Sequence, residues 1–426
     1  MTTALTHRTA TADPPRPGAL RRIGQLRHSS PGRLQLIQVT LLVLAVLTGL
    51  VAGLTAASAT AGTSDLRDRA QPLLVEAETI YSALADADTT AAQAFLAGGL
   101  EPVRLTERYE ADLARATTAL TAAGRRTPPG SEAARAVQSL ATGTTRYAAL
   151  VATARAVNRQ GLPVGASYLA TASELNRETL QPQARTLFQL AKRELDNGYD
   201  DARGTWWLML LLVLFVILAI MLVWSQLYLS RTTNRTFNVP LVAATVLAAV
   251  LMLGSGLVYS DQRELLGYAA EDGSTPVAAL AETRILVLRE RADEALTLVA
   301  RAGSGPHEED FQTVRERLTF DGLDLPEARE LHQAYLEQHD KIRQKDDGGE
   351  YDEAVRLALS PATTDVFQQL TDVLDAELEH HMGLFDTHIE DAGDGLGTMI
   401  VLGPLLALAV GVLAALGLRA RLEEYR

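Results

Sequence analysis

The stretch from Trp206 to Tyr259 restricts the possible folds more than any other part of the chain. It holds two apolar runs, Trp206–Tyr228 and Val239–Tyr259, joined by the short connector Ser230–Asn238, which carries Arg231 and Arg235. Neither run contains a charge. A hydrocarbon slab requires about 20 consecutive apolar residues of a helix that crosses it, and each run supplies them. Trp206, Trp207, Trp224 and Tyr228 fall near the ends of the first run, where amphipathic rings favour the membrane–water interface. Leu34–Leu54, continuing in small residues to Ala61, and Leu396–Leu418 are two further apolar runs. The sequence therefore predicts four spans.

Arginine placement sets the expected orientation. Arg8, Arg16, Arg21, Arg22, Arg27 and Arg33 precede the first run, and Arg419, Arg421 and Arg426 follow the last. Together with Arg231 and Arg235 they place both termini and the central connector in the cytoplasm of a multi-pass plasma-membrane protein, because basic flanks stay inside. The expected order is a disordered basic tail 1–33, a first span 34–61, an outer helical bundle 62–204 and a second span 205–229. A cytoplasmic turn 230–238, a third span 239–260, an acidic outer bundle 261–393, a fourth span 395–418 and a tail 419–426 complete it. The small residues at 57–61 imitate a secretory cleavage site, but the apolar run is longer than the usual h-region of about 7–15 residues, so an uncleaved anchor is expected.

The formal net charge of −13 falls mostly on 261–393. An acidic surface argues against nucleic acid and leaves the lipid bilayer, proteins and small molecules as partners. Because cysteine is absent, disulfides, thiolate metal sites and cysteine nucleophiles are excluded. There is no phosphate loop, His-Glu-x-x-His or Gly-x-Ser-x-Gly, and the segments assigned to the cytoplasm are too small to house an enzyme. The sequence points to a protein that is not an enzyme and needs no cofactor.

No alternating strand-like run occurs, so the expected fold is an all-α membrane protein with four transmembrane helices and two extracytoplasmic four-helix bundles. Pro72 and Pro182 predict bends, Gly273-Ser274-Thr275-Pro276 predicts an interruption, and Ser131 and Ser360-Pro361 predict helix starts. The two halves also match in detail. Pro72 and Ala77-Glu78-Thr79 correspond to Pro276 and Ala281-Glu282-Thr283, followed at equal offsets by Leu84 and Leu288, Ala91 and Ala295, and Pro102 and Pro306. Leu180-Gln181-Pro182 parallels Leu359-Ser360-Pro361. An internal duplication with pseudo-two-fold symmetry accounts for this.

Several groups are candidates for chemistry. Glu377, His381 and His388 share one face of the last polar helix and could ligate a metal, although they flank an apolar stripe and suit a satisfied helix edge better. Asp346, Asp347, Glu350, Asp352 and Glu353 offer hard oxygen ligands without the spacing of a calcium loop. Gly49-x-x-x-Gly53 could allow close helix approach. Arg125-Arg126 and Arg159-Gln160 could receive an anion. Arg159, Gln160, His307 and Glu308 lie at bundle tips, where an outer partner would reach, and Arg231 and Arg235 face the cytoplasm.

The order span, helical bundle, span resembles the sensor half of bacterial chemoreceptors and histidine kinases, twice over. After its second span this chain has only Ser230–Asn238 in place of signalling helices, so it resembles such a sensor dimer fused into one chain. The four-span layout is also similar to the actinobacterial GlnX-type membrane proteins. That resemblance implies amino-acid sensing through an extracytoplasmic solute-binding protein and a cytoplasmic Ser/Thr kinase. The expectation is thus a non-enzymatic signal transducer, with a structural or transporter-associated scaffold as the alternative.

Overall fold

The computed structural model describes residues 30–98, 101–233, 238–301, 305–320 and 323–423. All of its regular elements are helical. In chain order they are α1 Ser30–Asp65, α2 Gln71–Leu96, α3 Val103–Arg126, α4 Glu132–Arg159, α5 Val164–Leu175, α6 Gln181–Arg203 and α7 Thr205–Thr233. There follow α8 Val239–Tyr268, α9 Thr275–Ala300, α10 Pro306–Arg317, α11 Pro326–Asp347, α12 Tyr351–Ala358, α13 Pro361–Gly393 and α14 Leu396–Glu423. Among the described residues, four helical runs are long and apolar enough to cross a membrane: Gly32–Leu96, Val164–Arg231, Val239–Ala300 and Tyr351–Ala420.

Proline explains the joints. Pro72, Pro182 and Pro276 each lie in the first turn of a helix that continues an earlier one through a π-helical turn, at Leu66–Ala70, Asn176–Leu180 and Ala269–Ser274. A proline inside a helix lacks the N–H for residue i−4 and its ring strikes that carbonyl. One extra residue in the preceding turn removes the clash without ending the helix. The freed carbonyls find other donors: Arg126 Nη1 lies 3.4 Å from the Asp68 oxygen, and His381 Nδ1 bonds to the Asp272 oxygen. The helix at Gly273–Pro276 is consequently not interrupted as expected, but wound wider. Gly273 is needed there, since a Cβ at this position would sit 3.0 Å from the Cα of Phe385.

Other local signals read correctly. Ser131 caps α4, its Oγ accepting from the Ala134 N–H at 3.0 Å. Ser360 precedes Pro361 at the start of α13, but its hydroxyl donates back to the Leu357 carbonyl instead of capping.

The chain forms two compact units. The first comprises residues 1–57, 205–258 and 395–426, and contains the most apolar parts of α1, α7, α8 and α14. Leu41, Leu218, Leu222, Leu241 and Val410 are buried in its core, while Val39, Leu212, Val246, Leu253 and Leu405 are exposed. An apolar exterior of this kind is what a lipid solvent requires. Gly49 and Gly53 line the α1–α14 contact: a Cβ at Gly49 would meet Ala407 Cβ at 3.0 Å, and one at Gly53 would meet Pro404 Cγ at 3.0 Å. The Gly-x-x-x-Gly spacing thus does allow two helices to close on each other. Asn238 Nδ2 donates to the Gly417 carbonyl at 2.7 Å, and Gln226 Nε2 donates to Thr245 Oγ1 at 2.7 Å.

The second unit comprises residues 58–204 and 259–394. Where the sequence reading draws two separate bundles, both polar segments build this one unit. The reason is the burial of α2 and α9, which are enclosed on nearly every face. Each needs neighbours from both segments to exclude water, and they pack directly on one another, with Thr89 Oγ1 donating to the Leu288 carbonyl at 3.0 Å.

Candidate functional site

A helix enclosed on all faces is ordinarily apolar all round. Helices α2 and α9 are not. Glu78, Asp86 and Asp88 on α2 and Arg284, Glu290, Arg291, Asp293 and Glu294 on α9 are all buried. A charge removed from water must be paired and hydrogen-bonded, and the pairing here ties the two segments together.

One layer centres on Asp86. Its Oδ2 accepts from Arg284 Nη2 at 3.1 Å and from Arg115 Nη2 at 3.1 Å, while Arg284 Nε also bonds to Asp375. Arg115 holds Asp112 at 2.6 Å. Burial, reinforced by the nearby Asp86 charge, still pushes the Asp112 carboxyl up to about 6. Burial likewise raises Glu78.

A second layer centres on Arg177, which bonds to Asp293 Oδ1 and lies 3.5 Å from Asp88 Oδ2. Asp88 Oδ1 accepts from Ser173 Oγ at 2.7 Å and from the Tyr147 hydroxyl at 3.3 Å. Burial outweighs the arginine for Asp293, whose carboxyl rises to about 6. His307 and Asp310, one turn apart on α10, bring ligand-type atoms to within 4.8 Å of each other and of Asp293.

The third layer pairs glutamates with histidines. His332 Nε2 lies 2.8 Å from Glu290 Oε2. His339 Nδ1 lies 3.0 Å from Glu294 Oε2, its Nε2 lies 3.5 Å from Glu308 Oε1, and its ring stacks on Phe311 at 3.7 Å. Burial disfavours a charged His339, but the hydrogen bonds to Glu294 and Glu308 win and raise it to about 9. At neutral pH it is an imidazolium that donates on both sides.

Beside these layers lies a cavity of about 300 Å³ bounded by α2, α3, α9 and α13. Gln93, Arg104, Arg108, Arg291, Asp365 and Gln368 supply its polar lining. Arg108 Nη1 donates to Gln368 Oε1 at 2.7 Å, so the wall joins the first segment to the second. Guanidinium groups, a carboxylate and side-chain amides on one small wall suit a small molecule bearing both charges.

Among the residues singled out from the sequence, His381 Nε2 and Glu377 Oε1 approach to 3.4 Å, but His381 Nδ1 is engaged by the Asp272 carbonyl. His388 is two turns further on, with its ring against Tyr268. Arg159 and Gln160 are exposed at the end of α4. Asn158, beside them, donates to the Phe95 carbonyl at 3.0 Å and lines a second cavity, of about 620 Å³. Glu308 belongs to the His339 and Arg343 pairs, while His307 turns inward toward Asp293. Arg231 is exposed near the end of α7, and Arg235 lies outside the described residues. Arg126 is held by Glu76 at 2.9 Å. In the acidic run Arg343 holds Asp346 and Asp347, and Lys345 holds Glu350.

The sequence reading missed Arg177, Asp293, Asp310 and the Glu294–His339 pair. For Asp293 and Glu294 the signal was present: charges set among apolar positions on every face of 275–300 belong to a buried helix, not to a solvated one.

Residues 62–200, from the end of α1 to α6, match the family model of an actinobacterial sensor domain. No curated protein matches the chain. The match supports a sensing role for this region. Together with four helices apolar enough to cross a membrane, it supports a membrane-bound sensor protein.

Proposed function

We propose that this chain is a non-enzymatic transmembrane sensor whose two polar segments jointly read an extracytoplasmic signal and relay it to a cytoplasmic partner. The match of residues 62–200 to a sensor-domain model carries the reading. The signal is a small zwitterionic molecule such as an amino acid, or a solute-binding protein loaded with one. The small polar cavity favours the former, since Arg104 and Arg108 suit a carboxylate and Asp365 suits an ammonium group. The cytoplasmic partner is a regulator such as a Ser/Thr kinase, in line with the GlnX-type resemblance, and the matching π turns before Pro72 and Pro276 favour an internal duplication.

The mechanism follows from where the cavity lies. A ligand that bridges α3 and α13 favours one spacing of these helices over another, and shifts the equilibrium by its difference in affinity for the two. Helical sensors convert such preferences into displacements of about 1–2 Å. The same helical runs supply residues to both units, and π turns are frequent at functional joints.

Thermal unfolding of the detergent-solubilised chain with a panel of amino acids tests the binding. One or a few amino acids should raise the midpoint, and Arg104→Ala or Asp365→Asn should abolish the rise without altering the unliganded midpoint. A panel without effect removes the small-ligand reading. Cross-linked pull-down from native membranes tests the relay: recovery of envelope-assembly or transport proteins alone would replace it with a scaffold.

A further inference from the structure

Two orphaned atoms belong to residues that meet in the second buried layer. Asp293 is fully buried, and while its Oδ1 is taken by Arg177, its Oδ2 has no hydrogen-bond partner among the described residues. His307 Nδ1 is likewise buried without one. Native structures seldom leave such atoms unpaired, and an ion is one of the standard reasons when they do. With the imidazole proton on Nε2, both orphans are lone-pair acceptors, and a cation would satisfy both.

The third contributor is geometric. Asp310 follows His307 by three residues on α10, which places both on one face. Its side chain is half exposed, which provides an entry. One nitrogen and carboxylate oxygens from Asp293, His307 and Asp310 all lie within 4.8 Å of one another. Bonds of about 2.0–2.2 Å around a tetrahedral ion separate its ligands by about 3.4 Å, so modest side-chain rotation closes the set. The local charge is suitable as well. Asp88, Asp293 and Asp310 face Arg177, with Arg289 also acting on Asp293, which leaves one negative charge in excess.

We propose that Asp293, His307 and Asp310 form a site for a first-row divalent metal ion of the zinc class, which clips α10 to α9. An imidazole nitrogen with carboxylates selects this class over calcium or magnesium, which favour all-oxygen sites. Three protein ligands leave a fourth position for water or for another ligand. Arg177 keeps Asp293 Oδ1 and orients the carboxylate, as outer partners of metal ligands do. The site is independent of the cavity at Arg104 and Arg108.

The test uses the full chain, solubilised, free of any histidine tag and stripped with a chelator. Zinc chloride is titrated against a chromophoric competitor. The expected result is one zinc ion per chain, bound at least about 100-fold more weakly by His307→Ala and by Asp310→Asn. Both positions are only partly enclosed, so these variants report on the site without the unfolding risk of Asp293→Asn. His381→Ala should bind as the unaltered chain does. Calcium at the same concentration should not compete. Absence of stoichiometric binding, binding unchanged in both site variants, binding lost in His381→Ala, or equal competition by calcium would each overturn the proposal.

Discussion

Helices α2 and α9 hold equivalent places, each following a π turn and carrying a proline in its first turn, and each is buried on nearly every face. They solve the problem of burying acids differently. On α2, Asp86 meets arginines, and Asp88 meets Arg177, a serine and a tyrosine. On α9, Asp293 meets Arg177 and Glu294 meets Arg291, but Glu290 and Glu294 also meet His332 and His339. Arginine stays charged at any pH a protein survives, whereas histidine does not. The arginine pairs are permanent clamps, whereas the His339 pair is released when the imidazolium loses its proton. One architecture, duplicated or not, thus combines arginine pairs whose cation is permanent with a histidine pair whose cation depends on pH.

The largest effect should come from breaking a clamp. Arg177→Met leaves Asp293 and Asp88 buried without their cation, and loss of one partner of a buried pair costs about 3–5 kcal/mol. Denaturant unfolding of the solubilised chain should record a loss of that size. A loss below about 1 kcal/mol would place these carboxylates in contact with water instead.

The histidine pair should yield next, and only to pH. The folded-state value of His339 is about 9, above its ordinary 6.5. Its contribution is therefore complete below about pH 6.5 and disappears as pH rises through about 9, an effect on the order of 3 kcal/mol. Asp112 and Asp293 are both raised to about 6 from 3.8, so they too favour the folded state most when protonated and lose that advantage between about pH 4 and 6. Stability of the second unit should then decline in two stages with rising pH. His339→Gln should remove the upper stage and leave the lower one.

Glycine packing in the apolar unit offers an effect of intermediate size. Gly53→Leu would force α1 from Pro404, and overpacking of this kind costs about 1–3 kcal/mol. Leu42→Ala, at an exposed position, should cost much less. The smallest change is His381→Ala, which strips a donor from the Asp272 carbonyl and should cost about 1 kcal/mol. Both can be read from thermal midpoints.

Much of this was legible in the sequence. The four apolar runs, the helix start at Ser131 and the Gly49–Gly53 contact follow from hydropathy, capping chemistry and residue size, which are local properties. Pro276 shows where local reading stops. A proline after Gly273 normally ends a helix, but the Phe385 contact and the His381 donor, more than 100 residues away, make a π turn the better solution. The merging of both polar segments into one unit was hidden for the same reason. Asp86 and Arg284 read as ordinary solvated charges until the fold brings them together. Among the site candidates, His307 was identified by its position at a tip, but its inward contacts with Asp293 and Asp310 depend on packing that spacing alone does not specify.

The two polar segments share one charged core, in which Asp86 meets Arg284. A double-mutant cycle on Asp86 and Arg284 tests it most directly. Asp86→Ala and Arg284→Ala would be made singly and together, and the unfolding free energy of each solubilised chain measured. Contact across the two segments predicts a coupling of about 1–3 kcal/mol, with the double variant less damaged than the sum of the singles. Additive losses, within about 0.5 kcal/mol, would mean that the two side chains do not meet and that the segments fold apart.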